Sequence, residues 1–346
     1  MSVPSVSPFP DRSREVRLVR TPVGRLPVAS DFEVVAAPLA EPGPEDVLVR
    51  NLFFHVYSSI RMLIAGGVEG TPFTPLNPGD TLGSGAVGEV LRAPAGSGLR
   101  PGDLVSHWLG FREYAVLPEQ ACTRLDGTLA DPAGYLEQGW TAYASLTRGV
   151  QLRGGETVFV TGGASSIGSM AGPIARQLGA GRVIGGTGSA AKAERMVAEL
   201  GYDAAVVRGG EPLEQQLAKA APDGVDIVVD NVGGEALAAA VTVANEGARF
   251  VLIGALAGQL SPDSDGNSAP VTLDLFPVLL KKITLRGYSA DDDTEHEPEW
   301  RRKFADWLNE GRISFPHERI RGIEAAPDAI ADVIAGRYFG TVLVEV

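Results

Sequence analysis

Two rhythms of apolar residues divide the chain. From residue 14 to about 120 they come in short alternating or continuous runs: REVRLVR, FEVVAAPL, DVLVRNLFFHV, GAVGEVLRA, DLVSHWL and REYAVLP. Gly and Pro punctuate them, so the runs read as strands, with Pro42-Gly43-Pro44 and Pro101-Gly102-Asp103 as turns. This half has the pattern of an antiparallel, partly barrel-like domain. The rhythm changes near Ala130. From YLEQGWTAYASLTRGV onward it predicts strands at 157–161, 182–185, 204–207, 225–230, 248–253 and 283–288. Helices are predicted between them at 167–179, 190–200, 212–221 and 235–244. That alternation predicts an α/β fold with a doubly wound parallel sheet. Residues 257–270 form a polar, Gly/Pro/Asp-rich loop, a kind of connection that carries function or moves.

The tail reads as a helix (EPEWRRKFADWLNEG), a strand near 319–323, a helix (APDAIADVIAG) and a final strand, GTVLVEV. A last strand returning to the β-rich half makes that domain discontinuous. The expected division is a flexible arm at 1–13, a β-rich substrate domain at 14–130 and 300–346, and a nucleotide domain at 131–299.

Composition narrows the function classes. The 346 residues suffice for two cores, and 44% hydrophobic with 21% charged residues describes a globular protein. A net charge of −13 argues against nucleic acid and anionic membranes as partners. With the single Cys122 and four scattered histidines, His55, His107, His296 and His317, no metal site is expected. The first residues are Pro/Ser-rich without a signal-peptide pattern, and no apolar run reaches membrane-spanning length, so a cytoplasmic location is expected.

The chemistry concentrates in VFVTGGASSIGSMAGPIARQLGA, residues 158–180. A β-branched run enters a glycine-rich turn, and the turn opens onto an amphipathic helix pattern. That order places backbone N–H groups and a positive helix end where a pyrophosphate sits. In the G-x-G-x-x-G frame Gly163 and Gly168 fit, while Ser165 takes the middle place and either tolerates close contact or hydrogen-bonds the phosphate. RVIGGTGSAAK, 182–192, is a second strand ending in small residues and a lysine. A free ribose 2′-hydroxyl calls for a carboxylate there and a 2′-phosphate for cations, so the segment reads as a Rossmann-type NADPH site. On the turn alone, an ordinary strand–turn–helix connection stays open.

Further motifs carry a resemblance. GDTLGSGAVGEVLRA with LRPGDLVSHWLGFREYAV, QGWTAY before the glycine turn, and GVDIVVDNVGGEAL are similar to motifs of the zinc-independent medium-chain dehydrogenase/reductases. Within that superfamily the chain most resembles the NADPH-dependent double-bond reductases: prostaglandin, 2-alkenal and curcumin-type reductases. The resemblance runs over nearly the whole chain after the arm. It implies a GroES-like first domain, with Gly163, Ala164, Ile167 and Gly168 on the pyrophosphate and Ser165 and Ser166 on the same turn. It implies Lys192 and Arg208 on the 2′-phosphate, with Thr187, Gly188 and Ser189 donating to it, and Asn231 and Gly233 beside the cofactor. A homodimer through the strand at 283–288, an exposed sheet edge, is implied as well.

Departures cluster on the substrate side. The family's V-D-P-Y-M-R reads Val56-Tyr57-Ser58-Ser59-Ile60-Arg61, a substrate-binding tyrosine position is Gln259, and an asparagine position is Tyr338. Reducing a conjugated C=C bond needs hydride over the β-carbon, a donor at the enolate oxygen and a proton for the α-carbon. Tyr57, Gln259 and Ser59 are the catalytic candidates; Arg61, Trp108, Tyr114, Tyr288 and Tyr338 are candidates to line the pocket. Each also has a plain reading as a core, loop or turn residue. The expected activity is NADPH-dependent reduction of an enone or enal. A quinone reductase, a specialised pathway reductase and a non-catalytic NADPH-binding protein are the alternatives.

Overall fold

A computed structural model of the chain describes residues 9–66, 74–262 and 266–346. It divides into two compact units: 1–136 with 319–335 and 342–346, and 137–318 with 336–341. Residues 1–8 of the expected arm lie outside the described residues, and Arg12 and Ser13 already belong to a strand.

In unit 1, β1 (Arg12–Leu18) and β2 (Phe32–Pro38) pair antiparallel as a separate two-stranded sheet. A larger sheet is built on the long β3 (Asp46–Val56), followed by the short helix α1 (Ile60–Ile64). β4 (Ala86–Arg92), β5 (Leu104–His107), β6 (Tyr114–Pro118) and β7 (Thr123–Arg124) complete its first part, with every pairing antiparallel. Val47, Val49, Val90, Val105 and Leu117 alternate inward into one core, each worth about 1.5–3 kcal/mol on burial.

Unit 2 opens with α2 (Gly139–Ala144), which continues as one π-helical turn over Ser145–Gly149. Its parallel sheet comprises β8 (Thr157–Val160), β9 (Arg182–Thr187), β10 (Ala204–Val207), β11 (Val225–Asp230), β12 (Ala244–Leu252) and β13 (Thr284–Gly287). The order β10-β9-β8-β11-β12-β13 reverses at β8, as in a doubly wound Rossmann sheet. The crossovers are α3 (Ser166–Gln177), α4 (Ala190–Glu199), α5 (Leu213–Ala220) and α6 (Gly234–Val243). Phe159, Ile184, Val228 and Phe250 from the strands meet Leu213, Leu217, Leu237 and Ala240 from the helices. The expected α/β fold with a parallel and a separate antiparallel sheet is the observed one.

The expected loop at 257–270 begins instead as helix α7 (Leu256–Gln259), and its residues 263–265 lie outside the described residues. Helix α8 (Leu275–Leu280) follows, was not expected, and leaves Leu275, Phe276, Leu279 and Leu280 exposed.

The tail splits between the units. Helix α9 (Glu297–Asn309) stays in unit 2 because Trp300 stacks on Tyr143 and hydrogen-bonds Glu137 at 2.7 Å. After β14 (His317–Arg321) and α10 (Ala326–Ile334), residues 336–341 rejoin unit 2, and β15 (Thr341–Glu345) pairs antiparallel with β3. Residues 300–318 and 336–341 therefore leave the β-rich domain expected for 300–346. No helix among the described residues is long and apolar enough to cross a membrane.

Candidate functional site

The turn after β8 is shaped for close approach. Ser165 is the N-cap of α3, its hydroxyl oxygen accepting the Gly168 N–H at 3.2 Å. That oxygen is used inside the fold, leaving Ser165 its proton for a ligand. The Ala164, Ser166 and Ile167 N–H groups have no partner among the described residues. Three free N–H groups at the start of a twelve-residue helix make an anion cradle.

The glycines of the turn are fixed by contact. A Cβ on Gly168 would sit 2.1 Å from the Gly162 carbonyl oxygen, and one on Gly163 would meet Met196 at 2.4 Å. Behind the turn, the buried Tyr202 hydroxyl donates to the Gly168 carbonyl at 2.6 Å. Burial pushes that phenol far above its ordinary pKa, so it stays a donor.

At the end of β9, Thr187 accepts the Arg208 N–H at 2.9 Å, and Ser189 caps α4 by accepting the Lys192 N–H. The exposed Arg208 guanidinium lies 3.5 Å from where a Gly188 Cβ would stand and has no side-chain partner among the described residues. Lys192 is differently placed: its ammonium donates to the carbonyls of Gly336 and Tyr338. Burial, and secondarily Arg195, lowers its pKa. Two of its three protons hold the 336–341 segment, leaving one for a phosphate. The same segment is fastened by Gly340 N–H to Ala164 O at 2.9 Å and by Arg195 over the Phe339 ring at 4.0 Å.

At the end of β11, Asp230 and Thr161 lock the next turn. Thr161 donates to Asp230 at 2.6 Å and accepts from Asn231 and Val232, while Asp230 accepts from Gly233 at 3.0 Å. The Asn231 amide donates to Thr161 O at 3.1 Å, and its Cβ lies 3.8 Å from where one on Gly162 would stand. The cofactor residues expected in this unit follow the ends of β8, β9, β10 and β11, and α7, which ends at Gln259, begins on that last turn, its Leu256 and Ala257 N–H groups donating to the Asn231 and Val232 carbonyls. Sequence reasoning missed Thr161, Asp230, Tyr202 and Met196. Asp230 stood in plain view in the D-N-V-G-G run; the others lacked a local signal.

The substrate candidates are more dispersed. Tyr57 is half-buried and donates to the Gly83 carbonyl at 3.1 Å; burial pushes its phenol up to about 12. Ser59 precedes α1 without a side-chain capping bond. Arg61 does not line a pocket: it is 1% exposed and donates to the Arg25 carbonyl, because α1 turns its side chain inward. Trp108 is neither core nor enclosed, at 77% exposed. Tyr114 sits in β6 opposite Arg50. In unit 2, Gln259 ends α7 half-buried, and the Tyr288 hydroxyl donates to Asp293 at 2.5 Å. Tyr338 lends its carbonyl to Lys192. His55 and His107 are buried and held neutral, each pushed down to about 4, chiefly by burial.

A two-unit chain with an antiparallel sheet and a doubly wound sheet carrying a glycine-rich turn has the architecture of the dehydrogenase-type oxidoreductases. The sequence model of the zinc-binding dehydrogenases matches residues 166–310, and that of the N-terminal domain of oxidoreductases matches 14–125. The Bacillus subtilis protein YfmJ, described as an NADP-dependent oxidoreductase, is 31% identical over 96% of this chain and 97% of its own length. The NADPH-dependent curcumin reductase of Escherichia coli is 28% identical, with 97% of each chain covered. The crystal structure of CurA from Vibrio vulnificus superposes with a TM-score of 0.85 at 26% identity, over 96% of this chain and 98% of that one. The chain belongs to the medium-chain dehydrogenase/reductase family. The description of its matching model names zinc, yet no three His, Cys, Asp or Glu side chains gather as a metal site among the described residues.

Proposed function

We propose that the protein reduces the C=C bond of an α,β-unsaturated carbonyl compound with hydride from NADPH. The chain is an NADP-dependent oxidoreductase of the kind its relatives are. The observation that carries the coenzyme is the Arg208 guanidinium beside Gly188, without a side-chain partner among the described residues, on a β9 end reading Thr187-Gly188-Ser189 without a carboxylate. The cradle at Ala164, Ser166 and Ile167 holds the pyrophosphate, and Asn231 and Gly233 bound the cofactor at the carboxyl end of β11. When bound, NADPH supplies the hydride.

The acceptor class follows the relatives, which include a 2-alkenal reductase of Nicotiana tabacum and a bovine prostaglandin reductase. Tyr57 keeps its proton across the neutral range, so it can serve the enolate oxygen once it releases Gly83. The protein works as a cytoplasmic homodimer, joined along β13, an edge strand of the sheet, with the apolar surface of α8 beside it. NADPH oxidation against enals, enones and quinones tests the proposal. Turnover of the enones with NADPH preferred supports it; turnover confined to quinones replaces it with the quinone reductase. A monomer mass at micromolar concentration removes the dimer.

A further inference from the structure

A small open cavity of about 250 Å³ lies on the sheet of unit 2. Arg249, Thr284 and Arg286 of β12 and β13 line it, with residues 148–151 opposite. Thr284 is the cross-strand partner of Arg249, and Arg286 follows it by two residues, so the three side chains share one face of the sheet. No carboxylate lines the cavity among the described residues.

The segment opposite holds two guanidiniums together. Ser145–Gly149 winds as a π-helical turn, and Gln151 has φ +53°, in the left-handed region. Three successive carbonyls of this segment face the sheet. Arg286 Nη1 donates to those of Arg148 and Gly149, both at 3.1 Å, and Arg249 Nε donates to that of Val150 at 2.9 Å. The two charges are compensated unequally. Arg249 Nη2 donates to both Glu156 oxygens at 2.8 Å, and one of these also accepts the Arg153 N–H. Arg286 pairs with no carboxylate among the described residues, and its Nε and Nη2 have no acceptor among them. Arg249 Nη1 and the Thr284 hydroxyl also lack one there. A guanidinium edge of Nε and Nη2 grips two oxygens of an oxyanion side by side. That edge would occupy both oxygens of a planar carboxylate, whereas a tetrahedral phosphate keeps others for Arg249 and Thr284.

We propose that Arg286, Arg249 and Thr284 form a binding site for a phosphate group, free or carried on a small metabolite, separate from the coenzyme. In the sheet order, β8, which leads to the anion cradle, is three strand steps from β13, about 14 Å. β10, which leads to Arg208, is the opposite edge, five steps or about 24 Å away. The three side chains stand on the face of the sheet, off the main-chain edge of β13.

Calorimetric titration with inorganic phosphate at constant ionic strength, with and without saturating NADPH, tests the site. One phosphate binds per chain under both conditions. Arg286→Lys keeps a donor for the two carbonyls but loses the fork, and weakens phosphate about tenfold with an unchanged unfolding midpoint. Thr284→Val weakens it about threefold, and Arg208→Ala leaves it within about twofold. Glycerol 3-phosphate separates the sources, and either result sustains the site: tighter binding than inorganic phosphate assigns a phosphorylated metabolite, equal or weaker binding the free ion. No saturable phosphate binding, or equal affinity in Arg286→Lys and the unaltered protein, overturns the site. Displacement of phosphate by NADPH, or its loss in Arg208→Ala, overturns it in favour of the coenzyme pocket. Acetate binding as tightly as phosphate overturns the assignment to phosphate.

Discussion

The Thr161 hydroxyl donates to Asp230 at 2.6 Å across 69 positions of sequence, and its oxygen accepts the Asn231 and Val232 N–H groups. One hydroxyl thus sets the turn where β11 meets the cofactor site. Thr161→Val keeps the shape and removes the donor and acceptor together. It is expected to cost about 1–3 kcal/mol in urea unfolding, because buried polar groups lose partners, and to weaken NADPH binding in the same protein. Thr161→Ser retains both properties.

Arg208 and Lys192 separate by experiment. The Arg208 side chain has no partner among the described residues, so Arg208→Ala weakens NADPH about ten- to hundredfold and leaves NADH unchanged. Lys192 also ties down the carbonyls of Gly336 and Tyr338. Lys192→Ala is expected to weaken both coenzymes. Calorimetric titration with each nucleotide reads the difference; an Arg208→Ala protein that still prefers NADPH as strongly contradicts the assignment.

The glycines of the turn differ in what opposes a methyl group. At Gly168 it is the backbone oxygen of Gly162, 2.1 Å away, which cannot yield without breaking the turn. At Gly163 it is chiefly the end of the flexible Met196 side chain at 2.4 Å. Gly168→Ala should be the more destabilising by about 1–3 kcal/mol, the range of overpacking costs. Chemical denaturation of the two variants checks the order.

Much of this was legible in the chain. The runs VFV, VDIVVD and ARFVLI placed the parallel strands within a few residues, because fully buried strands are nearly continuous in apolar residues. The glycine-rich turn between β8 and α3 was legible because its signal lies within one strand–turn–helix. The clamp on residues 336–341 was not, since Lys192 and its carbonyl partner at Gly336 are 144 positions apart. The exposure of Trp108 was not legible either, since it lies at a bend just past β5, whose last inward place goes to His107.

His107 sets a pH dependence. Its Nδ1 accepts the Leu109 N–H at 3.1 Å, and burial, helped by Arg112, pushes the ring from 6.5 down to about 4. The unfolded chain binds the proton first, so this contribution to stability is intact above pH 6.5 and is lost as pH falls through 4. The loss amounts to at most about 3 kcal/mol. His107→Asn keeps an acceptor for Leu109 without titrating, and its stability relative to the unaltered protein should rise on acidification. Urea unfolding at pH 7 and pH 5 measures it; parallel profiles contradict the assignment.

Hydride delivery to a conjugated carbon leaves a record in the product. Reduction of 4-phenyl-3-buten-2-one with NADPH deuterated at the transferred position, read by NMR of the product, locates the label. Reduction of the C=C bond gives a saturated ketone carrying deuterium on the β-carbon. An allylic alcohol carrying it on the former carbonyl carbon would contradict it.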